Sequence, residues 1–389
     1  MEDSIKKENF LLISGGAEKA IAAVNIIREL DNELKEIRSN KSFIEHFDAV
    51  AGISSGSLIA ACLAIPDKEK QIPKYSIDEC EEFFLKGVRS LEVGIFDKFL
   101  MWIGYKKHAF SIEVLTEAIG EKLGETRLNE TLVDIFITAM DVTTSKTKIW
   151  TTHEAKSHPE DHDKNPMLKD ITAASSAFPG AFDQKIINGK GYVDGGLILE
   201  SPLIQFLNYK EVFLSERNNR KFVKDQEKDN SSIQEKLDNV FLLSIGSTSG
   251  VFSKTFEEIE NSNFDAIASY LIDVMSDSPK EEIDSFVKYF FPHYYKLDFL
   301  VPSSIQHFSY KDYPEDFKKF DACTKEYIKE NKQLLKAIVD YYINPEGAWK
   351  LNSSTCSGCE KILEDYTEYS FSCDPEKVLP IENPFHHDF

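Results

Sequence analysis

Long apolar runs are missing from this sequence. No stretch approaches the roughly 18–20 apolar residues that a membrane-crossing helix needs, so no such helix is expected. Cysteine is sparse, with six in 389 residues. That is too few for a disulfide scaffold, and a reducing compartment is the simplest reading. Basic residues are outnumbered, 45 Lys and Arg against 66 Asp and Glu, for a formal charge of −21. Such a field repels phosphodiester backbones and argues against a nucleic-acid partner. It also disfavours an anionic membrane surface, except where basic residues cluster locally. The opening MEDSIKKENFLLIS has an apolar run, Phe10–Ile13, too short for a signal peptide's core, and no small-residue cleavage site follows. The expected location is therefore cytoplasmic, with signal-less secretion as an effector as the alternative.

Apolar residues make up 42% of the chain and aromatics 12%, including 28 Phe, which is enough for a large core and excludes disorder over most of the length. The length suggests two to three units, although single α/β units of this order are common.

The first segment alternates strand and helix. Phe10–Ser14 is a short apolar run that stops at Gly15-Gly16 and reads as a buried strand. Over Glu18–Ile37 the apolar residues Ala22, Ile26, Ile27, Leu30 and Leu34 fall at helical spacing. Phe47–Gly52 reads as a second strand and Gly56–Ile65 as a small-residue helix ended by Pro66. This order predicts an α/β three-layer fold, with a largely parallel central sheet flanked by helices.

Further along, the pattern predicts helices at Ser76–Val88, Ser111–Leu123 and Pro166–Phe178, and strands at Val133–Met140 and Lys148–Thr152. Between the last of these strands and Pro166, His153–Lys164 reads as a loop. Lys185–Ile187 and Gly191–Asp194 flank Asn188-Gly189, a tight hairpin signal. Glu211–Leu214 reads as a short strand, residues 215–238 as an exposed insertion, and Asn239–Ile245 as a buried strand. From about 254 the pattern is helical, with helices at 254–275, 280–291 and 315–343. The expected division is an α/β domain over 1–250, a helical C-terminal extension over 251–349, and an irregular tail over 350–389.

Three short segments carry possible chemistry. Gly52-Ile53-Ser54-Ser55-Gly56 fits G-x-S-x-G, between a strand and a helix. A nucleophile on a sharp strand-to-helix turn has a strained backbone, so its neighbours two positions away must lack side chains. The helix start beneath it favours developing negative charge. The bland reading is a tightly packed Gly-Ser turn. Ser14-Gly15-Gly16-Ala17-Glu18-Lys19-Ala20 opens the first helix. Small residues there let amides turn inward on an anion, with Gly16 and Ala17 the best donors and Lys19 adding positive charge. A nucleotide phosphate loop is the rival, but neither dinucleotide nor P-loop spacing is met; a plain strand–helix turn is the other. Asp194-Gly195-Gly196 ends a short strand, where a carboxylate within reach of Ser54 would serve as general base. Alone, Asp-Gly is a common turn dipeptide.

Together these segments resemble the patatin-like phospholipase family, whose fold is shared with cytosolic phospholipase A2. The resemblance spans about 10–250: SGGAEKA, GISSG, ITAASSAFPGAF, YVDGG and LLSIGS. It implies that Ser54 is the nucleophile and Asp194 its partner in a Ser–Asp dyad without a catalytic His. It also implies that Gly15, Gly16 and Ala17 form the oxyanion loop, with Lys19 at the family's basic position and Gly52, Gly56 and Gly195 in support. The expected activity is a lipid acyl hydrolase of phospholipase A or lysophospholipase type, with no cofactor and no metal. The expected partners are phospholipid or lysophospholipid, a membrane surface touched peripherally, and a protein activator. The alternatives are an acyltransferase of the same fold, or a catalytically weak lipid- or partner-binding relative. Two departures motivate the last: Ala17 and Ala20 stand where the family usually has Gly. Ser201-Pro202 also replaces a common Asn-Pro.

Three further features complete the reading. A Ser–Asp–His triad would need a late His such as His293 or His307. Residues 67–130 form a possible cap; within them Ile95–Trp102, with Tyr105, Lys106, Lys107 and His108, reads either as a lid opening on lipid or as an ordinary core helix. Cys356 and Cys359, with Cys373, His386 and His387, are five candidates for a four-ligand zinc site, against the simpler reading of unpaired thiols.

Overall fold

A computed structural model describes residues 7–90, 110–179, 181–197, 202–203, 206, 237–246, 249–250, 287–301, 313–343 and 362–363. Its centre is an eight-stranded mixed sheet. In chain order the strands are β1 (Glu8–Ile13), β2 (Ala49–Ile53), β3 (Asp134–Asp141), β4 (Lys146–Thr151), β5 (Lys185–Ile187), β6 (Lys190–Asp194), β7 (Val240–Ile245) and β8 (His293–Leu297). Five of them, in the order β3-β2-β1-β7-β8, run parallel. β4 and β6 join β3 antiparallel, and β5 closes a hairpin on β6. Helices are α1 (Ile21–Glu36), α2 (Ser55–Ala64), α3 (Ile77–Ser90), α4 (Ile112–Leu123), α5 (Thr152–Ser157), α6 (Leu168–Ser175), α7 (Tyr313–Glu330) and α8 (Lys332–Ile338).

Why the parallel strands read as continuous apolar runs is visible in their packing. Leu11, Ile13, Val50, Ile135, Ile137, Leu243 and Ile245 enter one apolar cluster, while Phe10, Leu12, Ala49, Ala51, Phe136 and Leu242 enter the other. Successive side chains alternate between faces, and both faces are covered, so polar alternation has no place. Each of the larger side chains among them contributes about 1.5–3 kcal/mol by leaving water. The parallel order changes direction at β1, with β2 on one side and β7 on the other. In open α/β sheets the crevice at the carboxyl ends of such strands is where ligands bind.

Two expectations need correction. The stretch His153–Lys164 is not all loop: Thr152–Ser157 is a short helix, capped by Thr151, whose hydroxyl accepts the Glu154 N–H at 3.1 Å. That cap is a hydroxyl at the end of a strand, a signal that the surrounding polar residues mask. The region after 254 is not uniformly helical either. HYYKL (His293–Leu297) is a strand that adds to the central sheet beside β7. Its Tyr294 faces one apolar cluster and Tyr295 and Leu297 the other, so burial on two faces, rather than helical spacing, governs it. The expected helix at 315–343 is present as α7, α8 and a closing π-turn, Val339–Ile343, which pack on α1. The hairpin turn has Asn188 at φ 50° and Gly189 at φ 77°, the positive pair a type I′ turn requires.

The cysteines divide. Cys62 and Cys80 are buried free thiols, and Cys323 is disulfide-bonded to a partner outside the described residues. The expected strand at Glu211–Leu214, all but the last two residues of the insertion at 215–238, the helix at 254–275, most of 280–291, the lid segment Ile95–His108 and the zinc candidates Cys356, Cys359, Cys373, His386 and His387 lie outside the described residues; of the insertion's last two, Leu237 is buried, not exposed. Among the described residues no helix is long and apolar enough to cross a membrane.

Candidate active site

Ser54 follows the last residue of β2 and precedes the first residue of α2. Its backbone sits at φ 51°, ψ −131°, a conformation that costs a non-glycine residue about 1–3 kcal/mol. Its surroundings enforce the turn. A Cβ on Gly52 would lie 2.6 Å from the Gly56 carbonyl oxygen, and one on Gly56 would lie 2.3 Å from the Ile13 carbonyl oxygen. Neither backbone can yield, so both positions exclude side chains, as the motif's steric logic requires. The Ser54 carbonyl accepts from the Ser57 N–H at 2.9 Å and from the Ser57 hydroxyl at 2.6 Å. The Ser54 N–H donates to Ser175 Oγ at 2.9 Å. Both peptide groups of the strained residue are thus held by serine side chains.

The two candidates 140 positions apart meet. Ser54 Oγ donates to Asp194 Oδ2 at 2.7 Å. Asp194 closes β6 and is 2% exposed. Its other oxygen, Oδ1, accepts the Gly196 N–H at 2.7 Å, and its own N–H donates to the Ala177 carbonyl at 3.1 Å. The carboxylate is therefore fixed at both oxygens, with one turned to the serine. Gly195 abuts β3: a Cβ there would lie 2.6 Å from the Thr138 carbonyl oxygen.

The glycine-rich loop passes close to Ser54. A Cβ on Gly15 would come within 2.9 Å of the Ser54 Cβ, so only a glycine lets this backbone pass. Gly16 has φ 140° and Ala17 φ 50°. The third loop position is therefore left-handed, where Ala is strained relative to Gly by about 1 kcal/mol. The loop closes into a one-turn 3₁₀ helix, Ala17–Ala20, with the Lys19 N–H donating to the Gly16 carbonyl at 3.0 Å. Lys19 is half-buried on it. Among the described residues, the Gly16 and Ala17 amides donate to no protein group. Two unused N–H groups, beside a hydroxyl at the start of a ten-residue helix, are what a developing oxyanion needs.

Histidine takes no part in this arrangement among the described residues. His293 opens β8 in register with Phe241, and Phe241 is in register with Asn9 near the amino end of β1. Ser54 lies past the carboxyl ends of these parallel strands, so His293 sits at the opposite edge of the sheet. There its Nδ1 is 2.8 Å from the Tyr342 hydroxyl, and burial lowers its pKa. His307 lies outside the described residues.

Ser57 and Ser175 escaped the sequence reading. Ser57 carries a local signal, a hydroxyl three residues after Ser54 at the start of a helix. Ser175 carries none of its own. It lies inside ITAASSAFPGAF, and only the fold selects it from three neighbouring small residues.

A family model for patatin-like phospholipase matches residues 11–207, from β1 past the Asp194 turn. The chain belongs to the patatin-like phospholipase family. Among curated relatives it is 28% identical over 218 residues to patatin-like protein 2 of Oryza sativa subsp. indica, covering 52% of each chain. It is 29% identical over 211 residues to patatin-like protein 2 of Arabidopsis thaliana, covering 50% of each. The chain spans about half the length of the curated relatives it matches. Among solved structures, VipD from Legionella pneumophila aligns with TM-score 0.29 and 13% identity, over 73% of this chain and 56% of that one.

Proposed function

We propose that this patatin-like chain is a serine lipid acyl hydrolase of phospholipase A or lysophospholipase type, with Ser54 as nucleophile and Asp194 as general base. The observation that carries the reading is the 2.7 Å hydrogen bond from Ser54 Oγ to Asp194 Oδ2, made close to a glycine-rich loop whose Gly16 and Ala17 amides donate to no protein group among the described residues. Asp194 takes the hydroxyl proton as Oγ bonds to the ester carbonyl carbon. The Gly16 and Ala17 amides hold the resulting oxyanion. The tetrahedral species collapses, the ester C–O bond breaks, and Asp194 returns the proton to the leaving alkoxide. Water then repeats the sequence on the acyl-serine, releasing a fatty acid and restoring Ser54. The substrate is a phospholipid or lysophospholipid taken from a lipid surface, with the family as the support for that class.

The left-handed Ala17 favours one second reading, a relative that binds lipid but turns it over weakly. Fatty-acid release from mixed phospholipid vesicles by wild type, Ser54→Ala and Asp194→Asn separates the two. The enzyme reading expects release by wild type and at least a hundredfold loss in both variants. Equal background rates in all three, with vesicle binding retained, establish the binder instead.

A further inference from the structure

We infer that Ser175 is a positioning residue for the nucleophile: its buried hydroxyl holds the strained Ser54 backbone in register with Asp194. The inference rests on the reading of Ser54 as nucleophile. Ser175 ends α6 and is fully buried, with Oγ accepting the Ser54 N–H at 2.9 Å and donating to the Thr138 carbonyl at 2.7 Å. A serine hydroxyl has one proton, so giving it to Thr138 fixes the lone pair that meets Ser54. The direction of both bonds is thereby set. The hydroxyl bridges a donor at the end of β2 and an acceptor on the adjacent β3.

The same Thr138 carbonyl touches the acid's turn. The Gly195 Cα packs against it so closely that a Cβ would lie at 2.6 Å. Ala139, the next residue of β3, is in register with Asp194. One carbonyl therefore stands between the hydroxyl that supports the nucleophile and the turn that presents the base. Removing the Ser175 hydroxyl leaves a buried donor on Ser54 and a buried acceptor on Thr138 unpaired. Relief comes by rotation of the Ser54 peptide out of its positive φ or by a shift of Thr138 toward Ser175. Either movement changes the Ser54–Asp194 contact. The Ser175 hydroxyl makes no hydrogen bond to Asp194, and the oxyanion amides lie on a different loop, so substrate binding is left alone.

The test compares wild type, Ser54→Ala, Ser175→Ala and Ser175→Thr on a soluble short-chain p-nitrophenyl ester, with thermal unfolding of each. Ser175→Ala is expected to lower kcat about 10- to 100-fold, as misplacement of a reacting group by about 1 Å does. KM should stay within twofold of wild type. Ser175→Thr, which keeps the hydroxyl, should recover most of the rate. Three results overturn the inference: full kcat in Ser175→Ala, a loss carried by KM, or a folded Ser175→Thr as slow as the alanine variant. Failure of the underlying reading looks different, because Ser54→Ala then retains the wild-type rate.

Discussion

The Cα of Gly56 lies so close to Ile13 that an added methyl would sit 2.3 Å from the Ile13 carbonyl oxygen. The turn that leads from Ser54 into α2 and the strand preceding the glycine-rich loop are thus pressed together at one point. Both partners are backbone, so Gly56→Ala must push α2 away from β1. The expected cost is about 3 kcal/mol or more, at the upper end of overpacking, with loss of activity and of fluorophosphonate labelling. Gly120→Ala is the contrast. Gly120 lies within α4, and the nearest atom to a new Cβ is the Lys169 Cδ at 3.3 Å, on a flexible side chain. That change should be neutral or stabilising by up to about 1 kcal/mol, since glycine inside a helix is unfavourable by that amount. Thermal unfolding of both variants checks the pair.

Strain at Ser54 predicts a separation of stability from activity. The residue occupies φ 51°, where Ala is penalised and Gly is not. Ser54→Gly should therefore be more stable than Ser54→Ala by about 1 kcal/mol, although both lose the hydroxyl and the reaction. Equal melting temperatures for the two would show that the turn is not strained in solution.

Asp194→Asn keeps the shape of the side chain and an acceptor for the Gly196 N–H, but it presents an amide rather than a base to Ser54. The expected result is a 10²- to 10⁴-fold fall in kcat, the usual worth of general-base help, with little change in KM. A rate near wild type would remove Asp194 from the mechanism.

The loop alanine gives a third comparison. Replacing an exposed Ala with Gly ordinarily destabilises by about 0.4–1 kcal/mol through the unfolded chain. At Ala17 the φ of 50° offsets this, because Gly relieves the left-handed strain. Ala17→Gly should leave the melting temperature nearly unchanged and should raise kcat if the strained amide is imperfectly aimed. A clear drop in stability would mean that position 17 is relaxed in solution.

Much of the site was legible because its logic is local. G-x-S-x-G needs two positions without side chains, and Gly52 and Gly56 meet backbone at 2.6 and 2.3 Å. Strand β1 and helix α2 were readable as apolar and small-residue runs because burial on every side leaves no polar alternation to mislead. The strand at His293–Leu297 was not readable. Its aromatic residues fit a helical stretch equally well, and only pairing with Val240–Ile245, about 50 residues earlier, decides the matter. Ser175 was hidden for the same reason. Its role depends on Thr138 and Ser54, 37 and 121 positions away, and no local pattern encodes those contacts.

The last prediction concerns pH and lies far from Ser54. Asp340 is buried in the π-turn that follows α8, and among the described residues neither carboxyl oxygen has a hydrogen-bond partner. Burial raises its pKa, and the Lys336 charge one helical turn earlier only partly counters that. A carboxyl whose pKa is raised on folding favours the protonated form. Its contribution to stability is present at low pH, below the unfolded value, and is lost as pH rises through the folded one. Asp340→Asn cannot ionise, so its advantage over wild type should grow as pH rises above the ordinary aspartate value of about 4. Every tenfold weakening of the acid on folding corresponds to about 1.4 kcal/mol, or roughly 2–4 °C in melting temperature. At pH 7 the variant should melt above wild type, and the difference should shrink as the solution is acidified. A difference that is constant with pH would mean that water or another group already satisfies the Asp340 carboxylate in solution.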